Sequence, residues 1–274
     1  MMRLPAIVLA VLLGSAAAAP WLAPYAPDRI DLSSRRAAPS AAHLFGTDEL
    51  GRDVLARVLF GARISLAVGL LSALIAGASG VVVGGVAGYA GGAIDAVLMR
   101  TTDAILAVPR LPLLMIVSVV LRPSVPLLIV LIGLAGWMET ARVVRAEFLT
   151  LREREFVIWS ESIGARALRI VVRHILPNAI APVLVAMTLG IPAAILTESG
   201  LSFLGLGVQP PYATWGNILN DGKDSIEIAW WMTLYPGLAI LITVLSYILL
   251  GEGIRDALDP RLRQARAGAV GRGR

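Results

Sequence analysis

Apolar residues gather along this chain into runs near 20 residues long, separated by short polar stretches. A helix needs about 20 apolar residues to cross roughly 30 Å of hydrocarbon, so each run predicts a spanning helix. The first covers 1–19. It reads either as a retained helix extending toward the interface aromatics Trp21 and Tyr25, or as a secretory signal with one arginine and a run of alanines. Residues 20–63 are polar and carry Pro20, Pro24, Pro27 and Pro39, so they predict a connection rather than a span. Further runs occupy 64–89, 93–121, 125–144, 179–204 and 228–250. The third is interrupted by Arg100, Asp103 and Arg110, and the fifth contains Pro182 and Pro192. The expected fold is an all-α membrane protein of six transmembrane helices.

Composition supports this reading. The chain of 274 residues is 57% hydrophobic and 16% charged, against about 25% charged in soluble domains; its mean hydropathy is +0.77. Charge sets an expected orientation. Arg142, Arg145, Arg152, Arg154, Arg166, Arg169 and Arg173 lie between the fourth and fifth runs. Arg255, Arg261, Arg263, Arg266, Arg272 and Arg274 crowd the C-terminal stretch, whereas 205–227 has only Lys223. Arginine-rich loops favour the cytoplasm, which places 145–178 and both termini there. Six arginines in 20–63, among Asp28, Asp31, Asp48, Glu49 and Asp53, run against that assignment. The net charge of +5 thus belongs to membrane-flanking loops, and no nucleic-acid partner is expected.

Several chemistries are excluded or disfavoured. There is no cysteine, and His43 and His174 are the only histidines, so neither disulfide nor metal site is expected. The single lysine, Lys223, follows Gly222 but precedes Asp224, and no Gly-x-x-x-x-Gly-Lys-Ser/Thr loop exists to cradle ATP phosphates. No Gly-x-Ser-x-Gly or His-Glu-x-x-His motif occurs. The chain is expected to be non-catalytic, with no cofactor of its own.

Two polar patterns accompany the spans. Gly80, Gly84, Gly88 and Gly92 recur every four residues, a smooth stripe that lets another backbone approach closely. Asp95, Arg100, Asp103, Arg110, Glu139 and Glu198 lie in or near spans, where ionisable groups face a bundle interior or water. Arg100 and Asp103 are three apart and could pair on one helical face. No series of acids and histidines supports a proton relay.

Residues 151–177 are amphipathic. Phe156, Trp159 and Ile163 share one helical face, and Gly164 suits a left-handed turn closing that helix. A second stretch follows, with Leu168, Val171, Val172 and Ile175 apolar, a basic stripe of Arg166, Arg169 and Arg173, and Pro177 marking the return to the bilayer. Periodicity leaves two readings open: a helix pair docking on a partner, or a pair lying flat on lipid.

The same segment resembles the EAA loop of ABC importer permeases at 154–157, 163–165 and 173–178, departing from the usual Glu-Ala-Ala at Ile158-Trp159-Ser160. Residues 45–69, 201–222 and 251–263 narrow the resemblance to the second permease of the peptide/nickel (dipeptide/oligopeptide) transport family. The resemblance implies a type I ABC importer transmembrane fold. Residues 1–63 would form the N-terminal helix and a periplasmic connection. A five-helix core would occupy 64–255 with a coupling loop at about 148–178, and 256–274 a basic cytoplasmic tail. It implies as partners a sister permease, two cytoplasmic ATPase subunits that hold ATP and Mg, and a periplasmic or lipid-anchored solute-binding protein, assembled in the bacterial inner membrane. Arg154, Glu155, Phe156, Trp159, Ser160, Glu161, Ile163, Gly164 and Ala165 would couple to the ATPase. Gln209, Trp215 and Asn217, in the polar segment nearest the expected outer mouth, are candidate contacts for the binding protein. Di- or oligopeptides are the expected solute, with nickel complexes, glutathione or another small solute as alternatives. A further alternative is an ion-driven transporter, which would work on an ion gradient without any ATPase; a membrane-embedded enzyme or assembly scaffold would need a catalytic cluster that the sequence lacks.

Overall fold

The computed structural model describes residues 2–121 and 124–258 of the chain, and among these the regular structure is helical. The apolar runs become helices, but their ends follow caps and breaks rather than hydropathy. Helix α1 is Arg3–Ala17, 15 residues or about 22 Å; a further turn at Ala19–Leu22 follows it. Helix α2 is Val54–Ala90, 37 residues long. It starts ten positions before the apolar run because Asp53 caps it, accepting from the Ala56 N–H at 2.7 Å. The boundary placed between 63 and 64 therefore falls inside one continuous helix.

The third and fourth runs each contain a break. The third divides into α3, Gly92–Leu106, and α4, Arg110–Leu121, bent by 77° where Pro109 follows α3. The fourth divides into α5, Val125–Leu134, and α6, Trp137–Arg152, bent by 41° at Ala135-Gly136. Helix α7 is Glu155–Ser162. Helix α8 runs Ala167–Phe203, taking Pro182 and Pro192 into its interior. Helix α9 is Trp215–Gly222 and α10 is Trp231–Leu258. By length and apolarity α2, α8 and α10 can cross a membrane unbroken, and the two bent pairs raise the number to five. The sixth expected span, α1, is the short one. Most of the basic tail expected at 256–274 lies outside the described residues.

The second amphipathic stretch of the loop is not a separate surface helix. It is the start of α8, Ala167–Ile170 followed by a π turn at Val171–Ile175 that runs into the rest of the helix. A proline lacks the N–H and crowds the carbonyl four residues back. The wider turn just before Pro177 accommodates that ring, so one helix continues through the position read as the return to the bilayer.

Helix α2 is the central element, packed by α6, α8, α5 and α1. Three glycines of the expected stripe face α6. A methyl added at Gly80 would lie 2.6 Å from Thr140 Cβ, one at Gly88 2.6 Å from Phe148 Cβ, and one at Gly84 would strike the Ala141 carbonyl. The stripe thus serves packing within the chain. Gly92 is not part of it: it opens α3 with a φ of +53°, and nothing lies within 4 Å of its added methyl. Arg100 and Asp103 do not pair as expected. Asp103 pairs with Arg142, and Asp95 takes both Nε and Nη2 of Arg145, so both acids of α3 bind α6.

Candidate functional site

At the end of the bundle that carries α7, the chain presents an apolar knob on a rigid support. Helix α7 buries one residue, Val157, which is fully enclosed with Phe148 of α6 and Ile170, Ile175 and Ala179 of α8. Around that anchor its other apolar side chains point outward. Phe156 is 38% exposed, Ile158 52%, Trp159 70% and, just past the helix, Ile163 82%, an apolar patch suited to a protein partner or to lipid. The helix ends as the sequence predicts. Gly164 has φ +78°, its N–H donates to the Glu161 carbonyl at 2.9 Å, and the Ala165 N–H donates to the Ser160 carbonyl at 3.1 Å. This pair of bonds is the Schellman closure. An added methyl at Gly164 meets nothing within 4 Å, so the demand for glycine comes from backbone angle and not from crowding. Arg154 supplies the extended residue before the helix, and its carbonyl accepts from the Val157 N–H at 2.9 Å. The Ser160 hydroxyl donates to the Phe156 carbonyl at 2.7 Å. Glu155 lies in the first turn of the helix, where its charge suits the helix dipole. Glu161 receives the Tyr89 hydroxyl at 3.5 Å. Arg152, Arg154, Arg166, Arg169 and Arg173 are all exposed around the knob.

The opposite end is closed by a cap built from residues 31–53 and 205–230, held by a buried charge cluster. Asp48, fully buried, accepts from Arg52 Nε and Arg57 Nη1, both at 2.6 Å. Its other oxygen takes the Leu50 and Arg52 N–H groups at 2.8 and 2.9 Å. Asp221 on α9 accepts from the same two arginines at 3.0 and 2.8 Å. The start of α2 and the 205–230 segment are thereby tied together. Glu49 joins them again, receiving the Ser225 hydroxyl and Arg36 Nη2, each at 2.7 Å; these donors hold its carboxyl below the usual range. Three of the six arginines that ran against the charge rule, Arg36, Arg52 and Arg57, are thus neutralised by carboxylates.

Two candidate contacts in this cap need correction. Trp215 is 1% exposed; its indole N–H donates to the Val58 carbonyl at 3.1 Å and its backbone N–H to Ser65 Oγ at 3.2 Å. Asn217 is buried too, and forms a capping box with Thr214. Its amide also donates to the Tyr212 carbonyl at 2.8 Å. Both residues build the cap and offer no side chain to a partner. Gln209 does lie outside, with Pro210, Pro211 and Tyr212. The Asp48–Arg57–Asp221 cluster was not foreseen, because its partners are 164 residues apart and no local pattern joins them.

Between the two ends lies a polar interior. Glu198 of α8 is fully buried and accepts from the Ser202 hydroxyl at 2.7 Å and the Ser65 hydroxyl at 3.4 Å. Arg110, at the break between α3 and α4, donates through Nη2 to the Ile132 carbonyl at 3.2 Å. Glu139 faces the same cavity. Among the described residues no group of His, Cys, Asp and Glu could hold a metal ion.

Residues 80–264 match the family model described as the binding-protein-dependent transport system inner membrane component. The chain is 43% identical over 258 residues to the dipeptide transport system permease protein DppC of Bacillus subtilis, covering 94% of this chain and 81% of that protein. It is 40% identical over 258 residues to the oligopeptide transport system permease protein OppC of the same organism, covering 94% and 85%. It is 42% identical over 261 residues to a putative peptide transport system permease protein of Brucella suis, covering 95% and 88%.

Proposed function

The chain belongs to the family of binding-protein-dependent transport system inner membrane components, the membrane subunits of ABC importers, and on that premise we propose that it forms half of a path carrying di- or oligopeptides across a bacterial inner membrane. Its helical bundle is the type I importer fold. A sister permease completes the path, two cytoplasmic ATPase subunits bind and hydrolyse ATP, and a solute-binding protein delivers the peptide outside. The chain contributes coupling and gating and no bond chemistry.

The observation that carries this reading is the knob on α7, apolar outward and anchored inward. Docked on an ATPase, Phe156, Trp159 and Ile163 would lose their exposure to water, each large side chain contributing about 1.5–3 kcal/mol. Displacement of α7 would pass through Val157 to Phe148 of α6 and to Ile170 and Ile175 of α8, since a close-packed cluster transmits rather than absorbs motion. From α6 it would reach α2 across the glycine seam. The experiment is site-specific crosslinking in the assembled complex: a photoreactive residue at position 159 should capture the ATPase subunit, and one at the exposed Val120 should not. Capture of lipid alone at position 159 would support a helix resting on the bilayer instead.

A further inference from the structure

The two broken helices meet. In an unbroken helix the Gly136 N–H would donate to the Ile132 carbonyl; here it turns to Gly133 at 3.0 Å, which frees the Ile132 carbonyl. Arg110, the first residue after the other break, fills that vacancy with Nη2. Its Nε is buried and has no acceptor among the described residues. Glu139, one turn into α6, is exposed and makes no ion pair with Arg110, yet its charge acts on it. Two cavities of about 210 and 380 Å³ meet at this point, and Arg110, Gly136 and Glu139 line both.

Elsewhere the cavity walls are mainly small or apolar, as at Ala76, Ala186 and Ala193. Charged groups in the depth of a bundle are costly against lipid and mark solute paths. Interrupted helices are tolerated there only where they line protein or water, and such breaks build substrate sites in other transporters. An arginine with an unused donor beside an unpaired carboxylate complements a small molecule bearing both a free carboxylate and a free ammonium. We propose that Arg110 and Glu139 form a zwitterion subsite in the path, Arg110 meeting the C-terminal carboxylate of a short unblocked peptide and Glu139 its N-terminal ammonium. The subsite rests on the permease reading above, and its binding is weak, as passage requires release.

The chain has no cysteine, so Ala193→Cys, on the cavity wall, provides a reporter. In the full complex in vesicles, modification at position 193 is followed by mass spectrometry with alanyl-alanine or with its N-acetyl, C-amide analogue. Alanyl-alanine should slow modification and the blocked analogue should not. Glu139→Gln and Arg110→Gln should each raise the half-protecting concentration about tenfold or more, the loss of one charge-assisted hydrogen bond. The Glu139 side chain makes no hydrogen bond among the described residues, so its variant carries the test should Arg110→Gln fail to assemble. Equal protection by the blocked analogue, no protection by the zwitterion, or unchanged protection in the variants overturns the subsite. ATP-driven uptake of alanyl-alanine by the unsubstituted complex separates the two claims: uptake without protection overturns the subsite alone, and absence of uptake overturns both.

Discussion

Replacing Asp48 with alanine should unlatch the cap at the end opposite α7. Asp48 is fully buried and Arg57 nearly so, with side-chain exposures of 0% and 4%. Its loss removes two arginine contacts and two backbone N–H contacts together. Arg57 would keep only Asp221, whose side chain is 32% exposed. Removing one partner of a buried ion pair costs about 3–5 kcal/mol. If the cap opens as a local unit, its open population should rise by roughly 10²–10⁴-fold. Ala213 belongs to the cap and is only 7% exposed, so Ala213→Cys reports opening through its rate of thiol modification, with and without Asp48→Ala. A reagent excess that leaves opening at equilibrium makes the rate ratio read the free-energy change. Replacing Asp48, Arg57 and Asp221 together by apolar residues of similar size should recover much of the protection, since the penalty lies in the unpaired charge. A rate change under threefold for Asp48→Ala would refute the claim that this cluster holds the cap.

Glu49 should stabilise the same cap with a defined pH dependence. Its folded pKa is depressed, first by the Ser225 hydroxyl and then by Arg36, so its contribution is complete above the ordinary glutamate value of about 4.3 and is lost as pH falls through the lower folded value. Position 213 should therefore show a pH-independent Glu49 contribution between pH 6 and 8, and Glu49→Gln should raise the modification rate there and abolish the further loss seen as pH falls below about 4.3. Gly88→Leu should weaken α2–α6 packing by about 1–3 kcal/mol through overpacking against Phe148 and Arg145, read as a lower unfolding temperature in detergent. Gly200→Ala, which meets nothing within 4 Å inside α8, should be neutral or stabilising by about 0.5–1 kcal/mol.

How far the sequence reached depended on the range of the interaction. The helical spans were legible because each apolar run carries its own signal, and Gly164 was legible because a helix-closing left-handed turn is a local demand. The start of α2 was misplaced since Arg57 and Arg63 end the apolar run, although Asp53 caps a helix that includes both. Arg57 sits there at no cost to the helix because Asp48 and Asp221 neutralise it, and Asp221 comes from a distant segment. Trp215 and Asn217 looked like surface recognition residues; an aromatic beside polar groups reads the same whether it faces a partner or, as here, the Val58 carbonyl. Arg100 and Asp103 had the spacing to pair within α3, yet Asp103 found Arg142 across the bundle. Pro177 marked the return to the bilayer, but the π turn that carries the helix through it could not be read from composition.

The central claim is that α7 couples this chain to an ATPase, and Trp159→Ala and Gly164→Val test it most directly. Trp159 is exposed in the chain alone and would be buried by the proposed docking, so its removal should weaken ATPase association about tenfold or more, as desolvated aromatic anchors dominate such interfaces. Gly164→Val forces a β-branched residue into φ +78°, re-aiming the knob while the spans insert as before. Solute-stimulated ATP hydrolysis and peptide uptake are then measured on the reconstituted complex in the same vesicles. The account predicts that uptake falls in both variants and that Gly164→Val hydrolyses ATP without proportionate uptake. Normal hydrolysis and normal uptake in both would contradict it.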